Sequence, residues 1–378
     1  MPKLITKGDQ YEYRVMRLFL YQGYLPRRRY LVKTSLEAKI RNATDVDVLG
    51  VRYSPDFIET RAIAECKFKG RTQPVGNILF TASLKALLDA QVAILALKTT
   101  PWDIKSFGSQ VGVQVLSLPR IEEMEKELGI EADGWPASTD FGFYEPLWDE
   151  WRSLLESERL LERFVELLRT EFWFRSEWVI VNRLITAISE LSKRLSGIAE
   201  HPPLARLCQW LLFEGVVHFS LATLRVCNKT HHLSPDERKG LLSKRLTYGD
   251  LDPDKVERHI QATYKFASEV AKQQLGEALR IPKDWTVIPA PVYTEDFVDL
   301  VERMSARPAS AAVVAIVLEL LLFEFIFKGR EISLDFMETF VGGRDLKFKI
   351  KLAKDIVYFL MNNANLSESP FEALLGLW

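Results

Sequence analysis

The sequence predicts an α/β N-terminal domain followed by a mostly α-helical C-terminal domain. Three observations carry this. Up to about residue 120, short runs of β-formers alternate with stretches that are apolar on one helical face, as in a mixed sheet with helices on both faces. From residue 144 onward nearly every segment has helical periodicity instead. Charge divides at the same place: residues 1–120 carry 19 Lys and Arg against 10 Asp and Glu, leaving 31 against 41 for the remainder. A cationic front half suits a polyanionic ligand, and the acidic rear half does not.

At 378 residues the chain has room for two or three domains with ample core. Its three cysteines, Cys66, Cys208 and Cys227, form no CxxC pair and suggest no disulfide framework. The segment Met1-Pro2-Lys3-Leu4 lacks the apolar core of a signal peptide. Ala311 to Phe327 is nearly all apolar, but Glu319 and Glu324 interrupt it and it falls short of the roughly 20 residues of a membrane span. A buried core helix is expected there, with no membrane association and a reducing, cytoplasmic setting. The expected division is residues 1–120, an acidic helix and linker over 121–143, and a helical domain over 144–378 that splits near 279–294, where Pro282, Pro289 and Pro291 fall.

In order along the chain, Gly8-Asp9 opens a helix to about Tyr21 with Asp9 as N-cap and Tyr11, Val15, Leu18 and Phe19 as its apolar stripe. Glu12 sits at the border of that inward face, an unusual place for a carboxylate, and on position alone solvation or pairing with an arginine is the plainer reading. Gly23 ends the helix. Arg27-Arg28-Arg29 then leads into a strand from Tyr30 to Leu36, and guanidinium groups there would grip phosphates in bidentate fashion. A solvated basic turn is the plainer alternative.

Two strands follow, one around Asp45 to Val51 and one around Ala62 to Lys69, joined by a polar turn with Ser54, Pro55 and Asp56. Residues two apart on a strand share a face, so Glu65 and Lys67 point together while Cys66 enters the opposite layer. Asp47 on the neighbouring strand would reach the same patch, with Asp45 as an edge residue or second ligand. Two carboxylates and an ammonium converging there would make a divalent-metal site with a built-in cation. Pro74 then starts a helix over Val75 to Ala90, followed by a strand Val92 to Leu97, a connection over Pro101 to Gly112, and a strand Val113 to Leu118. Lys69 and Arg71 are placed to meet a phosphate backbone. Helices are expected near 144–171, 174–197, 203–229, 235–246, 253–277, 294–306, 309–328 and 345–363.

Asp47-Val48-Leu49-Gly50 followed by Glu65-Cys66-Lys67 resembles the PD-(D/E)XK nuclease superfamily, in particular its Mrr-like and Holliday-junction-resolvase-like branches. The resemblance covers roughly residues 5 to 120. It implies a restriction-endonuclease-like sheet and a Mg²⁺ ion, with Mn²⁺ as substitute, held by Asp47, Glu65 and the backbone carbonyl of Cys66. Glu12, the acid on the first helix, would hold a second ion or the first ion's water, and Lys67 would orient that water or neutralise the phosphate. The implied activity is endonucleolytic, on DNA rather than RNA. By family analogy the role is that of a prokaryotic restriction or anti-phage effector, a homodimer whose helical domain docks a regulatory protein. The alternative is a non-catalytic nucleic-acid-binding or scaffold protein. A second pattern, Arg225 and His231 six apart, resembles the Arg-x(4–6)-His pair of HEPN ribonucleases, though Val226 replaces the usual polar residue. His231-His232 near Asp236 and Glu237 also has a metal-binding reading, for which a polar helix terminus is the preferred alternative.

Overall fold

The computed structural model of the chain describes residues 7–33, 42–68, 73–198, 200–275 and 288–377. The expected architecture is present: a five-stranded mixed sheet with flanking helices, then a region of mostly helices. Helix α1 (Lys7–Tyr21) leads into strand β1 (Leu25–Lys33), β2 (Asn42–Tyr53) and β3 (Glu59–Lys67). After these come α2 (Pro74–Leu87), β4 (Val92–Leu97), α3 (Trp102–Gln110), β5 (Gln114–Ser117) and α4 (Leu118–Glu127). The strand order is β1-β2-β3-β4-β5, antiparallel through β3 and parallel from β3 to β5. Where a mere connection was expected over Pro101 to Gly112, α3 forms. Gly108 lets it press on β5, since a Cβ there would stand 2.4 Å from Val115 Cγ2.

Helix α1 ends as its glycine predicts. Gly23 takes φ +78°, its N–H reaching Leu20 O and the Tyr24 N–H returning to Phe19 O. Asp9 lies inside the first turn rather than capping it. One sheet face buries Val48, Ala62, Ala64, Ile94 and Ala96 with α1. The helix approaches so closely that a Cβ on Gly50 would stand 2.7 Å from the Phe19 ring. The other face, with Leu49, Val51, Ile63, Leu95 and Leu97, shares a core with α2, α3 and the helical region.

The helical region packs around Pro202–Thr230. By length and composition this helix could cross a membrane, but 94% of its apolar window is buried inside the fold. The apolar segment ending at Phe327 is a buried helix that passes from α-helical Val314–Glu319 into π-helical Leu320–Phe327. Its two glutamates are spoken for. Glu319 pairs with Arg27 at 2.8 Å and accepts from Ser138 N at 3.1 Å, while Glu324 accepts from Ala137 N at 2.5 Å and pairs with Lys328. The stretch around 134–140 is therefore pinned to the core rather than a loose linker. Arg17, stacked over Trp135 at 3.8 Å, holds its other end. The expected split near 279–294 lies largely outside the described residues. Helices on its two sides share one core, with Phe219 and Phe359 stacked at 5.3 Å.

Candidate active site

Pairing between β2 and β3 runs from Tyr53↔Glu59 to Val48↔Ala64 and stops there. Past that point the Asp47 carboxylate takes over from the backbone ladder: its Oδ2 accepts from Cys66 N at 2.7 Å. This satisfies a donor left without a strand partner and fixes Asp47 against the end of β3. Lys67, the last residue of β3, extends over the same spot. Its Nζ lies 2.9 Å from Glu65 Oε2 and 3.3 Å from Asp47 Oδ2. The structure thus brings Asp47, Glu65 and Lys67 together, on adjacent strands and at hydrogen-bonding distance.

Glu65 is 2% exposed, and its second oxygen, Oε1, has no hydrogen-bond partner among the described residues. Burial, with Asp47 adding to it, pushes the Glu65 carboxyl up to about 7, against the pull of Lys67. Burial opposes the Lys67 charge, but Asp47 and Glu65 more than offset it and its ammonium is held well above the usual range. Lys67 therefore stays protonated at neutral pH. Cys66 packs beside the α1-side core, and burial pushes its thiol far up, so it is an inert packing group.

Other expected participants stand elsewhere. Glu12 is half-buried and held by Arg28, whose Nη2 and Nε donate to Glu12 Oε2 at 2.7 and 3.0 Å. Burial raises the Glu12 carboxyl, Arg28 opposes, and the charge of Asp47 adds to the rise. Glu12 thus feels Asp47 without joining its cluster. Asp45 is exposed and takes no part in the cluster's hydrogen bonds among the described residues.

The arginine run does not form an outward grip. Arg27 is largely shielded and sits between buried Glu214 and Glu319, 2.8 Å from each. Arg28 is 10% exposed and bridges Glu12 and Glu145 while stacking on Tyr13 at 3.9 Å. Only Arg29 keeps much solvent contact, and it pairs with Asp9. At Arg29 φ is +51°, which breaks strand alternation and sends its neighbours to different sides. Lys69 and Arg71 lie outside the described residues.

Arg225 and His231 form no joint site either. Arg225 clamps Glu59 of β3 at 2.7 Å and donates to Phe172 O at 2.8 Å, so it ties sheet to helices. His231 is exposed at the helix end, its Nδ1 beside Cys227 O at 3.1 Å.

The donor set can be tested against the divalent ion that the sequence motif implies. Asp47 and Glu65 offer only oxygen, which suits a hard cation, and Glu65 Oε1 is buried with no hydrogen-bond partner among the described residues. Among the described residues no group of three or more His, Cys, Asp or Glu is arranged to hold a metal. The pair fits an ion of the magnesium type, which commonly takes one or two carboxylates and completes its shell with water and phosphate oxygens. It does not fit one enclosed by protein ligands, and Glu12, its Oε2 held by Arg28, makes no hydrogen bond to the pair among the described residues. Pairing with an arginine was the plainer expectation for Glu12, and Arg28 is that partner. A carboxylate on the inward border of α1 facing a strand of arginines was the available signal. No protein-family profile matches this chain, and neither does any curated protein or solved structure.

Proposed function

We propose that the chain is a metal-dependent endonuclease that hydrolyses phosphodiester bonds, with DNA as substrate. The observation that carries this reading is the meeting of Asp47, Glu65 and Lys67, with Glu65 Oε1 buried and unpartnered. A buried acid beside a partly buried one is costly unless a cation offsets them. Lys67 supplies one positive charge, and a Mg²⁺ or Mn²⁺ ion held by Asp47 and Glu65 would supply the rest. Such an ion, when bound, polarises a phosphoryl oxygen as a Lewis acid.

The chain's own groups have distinct parts in this scheme. Asp47 is fixed by the Cys66 N–H, so its position is set before substrate arrives. Lys67 keeps its proton and so is no general base; its ammonium neutralises charge that builds on the phosphate in the transition state. Glu65 must ionise to serve, and its raised carboxyl makes cation affinity grow as pH rises toward 8. We place the enzyme in the reducing cytoplasm, as a homodimer with a regulatory protein on its helical region and a role in restriction or anti-phage defence.

A second reading is favoured by one observation, the lock of Arg28 on Glu12, which leaves only two acids free. It is a nucleic-acid-binding or scaffold protein that keeps the fold without turnover. Single-stranded, duplex and branched DNA incubated with Mg²⁺ or Mn²⁺, beside the Lys67→Ala variant, separates the two. Cleavage that disappears in the variant supports the nuclease; binding without cleavage under either ion supports the scaffold.

A further inference from the structure

Between β1 and the helical region lies a cavity of about 240 Å³, separate from the Asp47 cluster. Three residues that line it each carry a buried polar atom with no hydrogen-bond partner among the described residues: Ser138 Oγ, Tyr144 OH and Trp210 Nε1. Buried donors are normally satisfied, and three orphans on one cavity are an unusual concentration. All three can donate, and Tyr144 is held protonated by burial with nearby carboxylates adding to the effect.

A fourth group has the same character. Arg169 lines the cavity with its guanidinium 5.0 Å over the Trp148 ring, and no carboxylate pairs with it within ion-pair distance among the described residues. Arg27 and Arg28, which line the same space, are already neutralised by Glu214, Glu319, Glu12 and Glu145. Arg29 and Arg152, which also line it, pair with Asp9 and Asp149, so among the described residues Arg169 is the surplus cation. Burial pulls it down to about 10, with Arg28 and Arg29 pulling the same way and Glu214 opposing. It comes from a π-helical turn, Leu167–Glu171, a local widening common at functional sites. Trp148 and Trp210 meet edge to face at 4.9 Å and supply flat apolar walls.

We propose that this cavity binds a small anionic ligand built on one planar ring, its carboxylate or phosphate taken by Arg169 and its acceptor atoms by Ser138, Tyr144 and Trp210. Glu145 and Glu214 also line the cavity but are engaged by Arg28 and Arg27, so the indole N–H and the two hydroxyls offer donors to an acceptor, the unpaired guanidinium suits an anion, and the tryptophans suit a ring. The volume suits a ring with one substituent, since a dry cavity of about 150 Å³ holds benzene. The proposal stands apart from the nuclease reading.

Calorimetric titration of the full chain in EDTA tests it, with phenyl phosphate, benzoate, inorganic phosphate and phenol as separate probes. At least one of phenyl phosphate and benzoate should bind saturably, about tenfold or more tighter than inorganic phosphate or phenol, and the better of the two identifies the anionic group. Arg169→Gln should weaken that binding about tenfold or more. Ser138→Ala should weaken it too, and because it deletes an orphaned hydroxyl it should leave thermal stability intact. Glu65→Gln should leave it unchanged. Binding of neither aryl anion, or inorganic phosphate binding as tightly as both, would overturn the proposal and leave the cavity to water. So would equal affinity in wild type and Ser138→Ala.

Discussion

Asp47 Oδ2 accepts the backbone N–H of Cys66 at 2.7 Å, just beyond the last β2–β3 ladder pair, Val48 with Ala64. One carboxylate therefore closes the sheet and forms one wall of the candidate site. Asp47→Ala should destabilise the metal-free protein by about 1–3 kcal/mol, because it strands a buried donor and removes a partner of Lys67. Asp47→Asn keeps an acceptor and should cost less. Denaturant melts of the three proteins measure this.

Glu65 should behave in the opposite sense. Its carboxyl is raised to about 7 in the fold, so ionisation costs stability above that pH, while below the unfolded value the cost vanishes. Glu65→Gln should stabilise the metal-free protein at pH 8 by about 1–3 kcal/mol, with the gain shrinking toward pH 4. A residue whose removal stabilises the fold is one kept for another purpose. Thermal melts at the two pH values, in EDTA, show whether the sign is right.

Acid should loosen the contact between sheet and helices at Glu59. Burial disfavours its charge, but Arg225 and Arg61 more than compensate and hold the carboxyl down at about 2. A depressed acid contributes stability above its unfolded value and loses it as pH falls through its folded value. The window is therefore about pH 4.3 down to 2, and the loss is at most about 3 kcal/mol. Melting temperature followed over this range should fall less steeply in Glu59→Gln than in the wild type.

Arg27 should act on stability rather than on nucleic-acid affinity. Its removal leaves Glu214 and Glu319 facing each other in the core. Burial already raises Glu214 to about 7, Arg27 restrains that rise and Glu319 adds to it. Arg27→Ala should cost about 3–5 kcal/mol, the usual result of breaking a buried pair from one side. Chemical denaturation measures the loss, and Arg29→Ala, at the half-exposed neighbour, should cost far less.

These contrasts show what the sequence could and could not convey. The site was legible because its information is local: β-strand periodicity puts Glu65 and Lys67 on one face, and the adjacent strand carries Asp47. The arginine run misled for the converse reason. Read by itself it is a charged surface turn, yet the carboxylates that bury Arg27 stand 187 and 292 residues further on. Glu319 and Glu324 look like interruptions of an apolar helix until Arg27 and the Ala137–Ser138 backbone are found against them. Arg225 matched a sequence pattern with His231, whereas its real partner, Glu59, is 166 residues away. Charge pairing across such separations leaves no periodic trace, and Ser138, Tyr144, Arg169 and Trp210 around the cavity were illegible for the same reason.

Asp47 and Glu65 are proposed to hold a divalent cation between them. Anomalous diffraction from a crystal soaked in Mn²⁺ would locate it. A peak about 2.1–2.3 Å from a carboxylate oxygen of each residue, with Glu65 Oε1 among them and absent in Glu65→Gln, is the expected result. Mn²⁺ bound elsewhere, or no peak between these two acids at saturating ion, would contradict it.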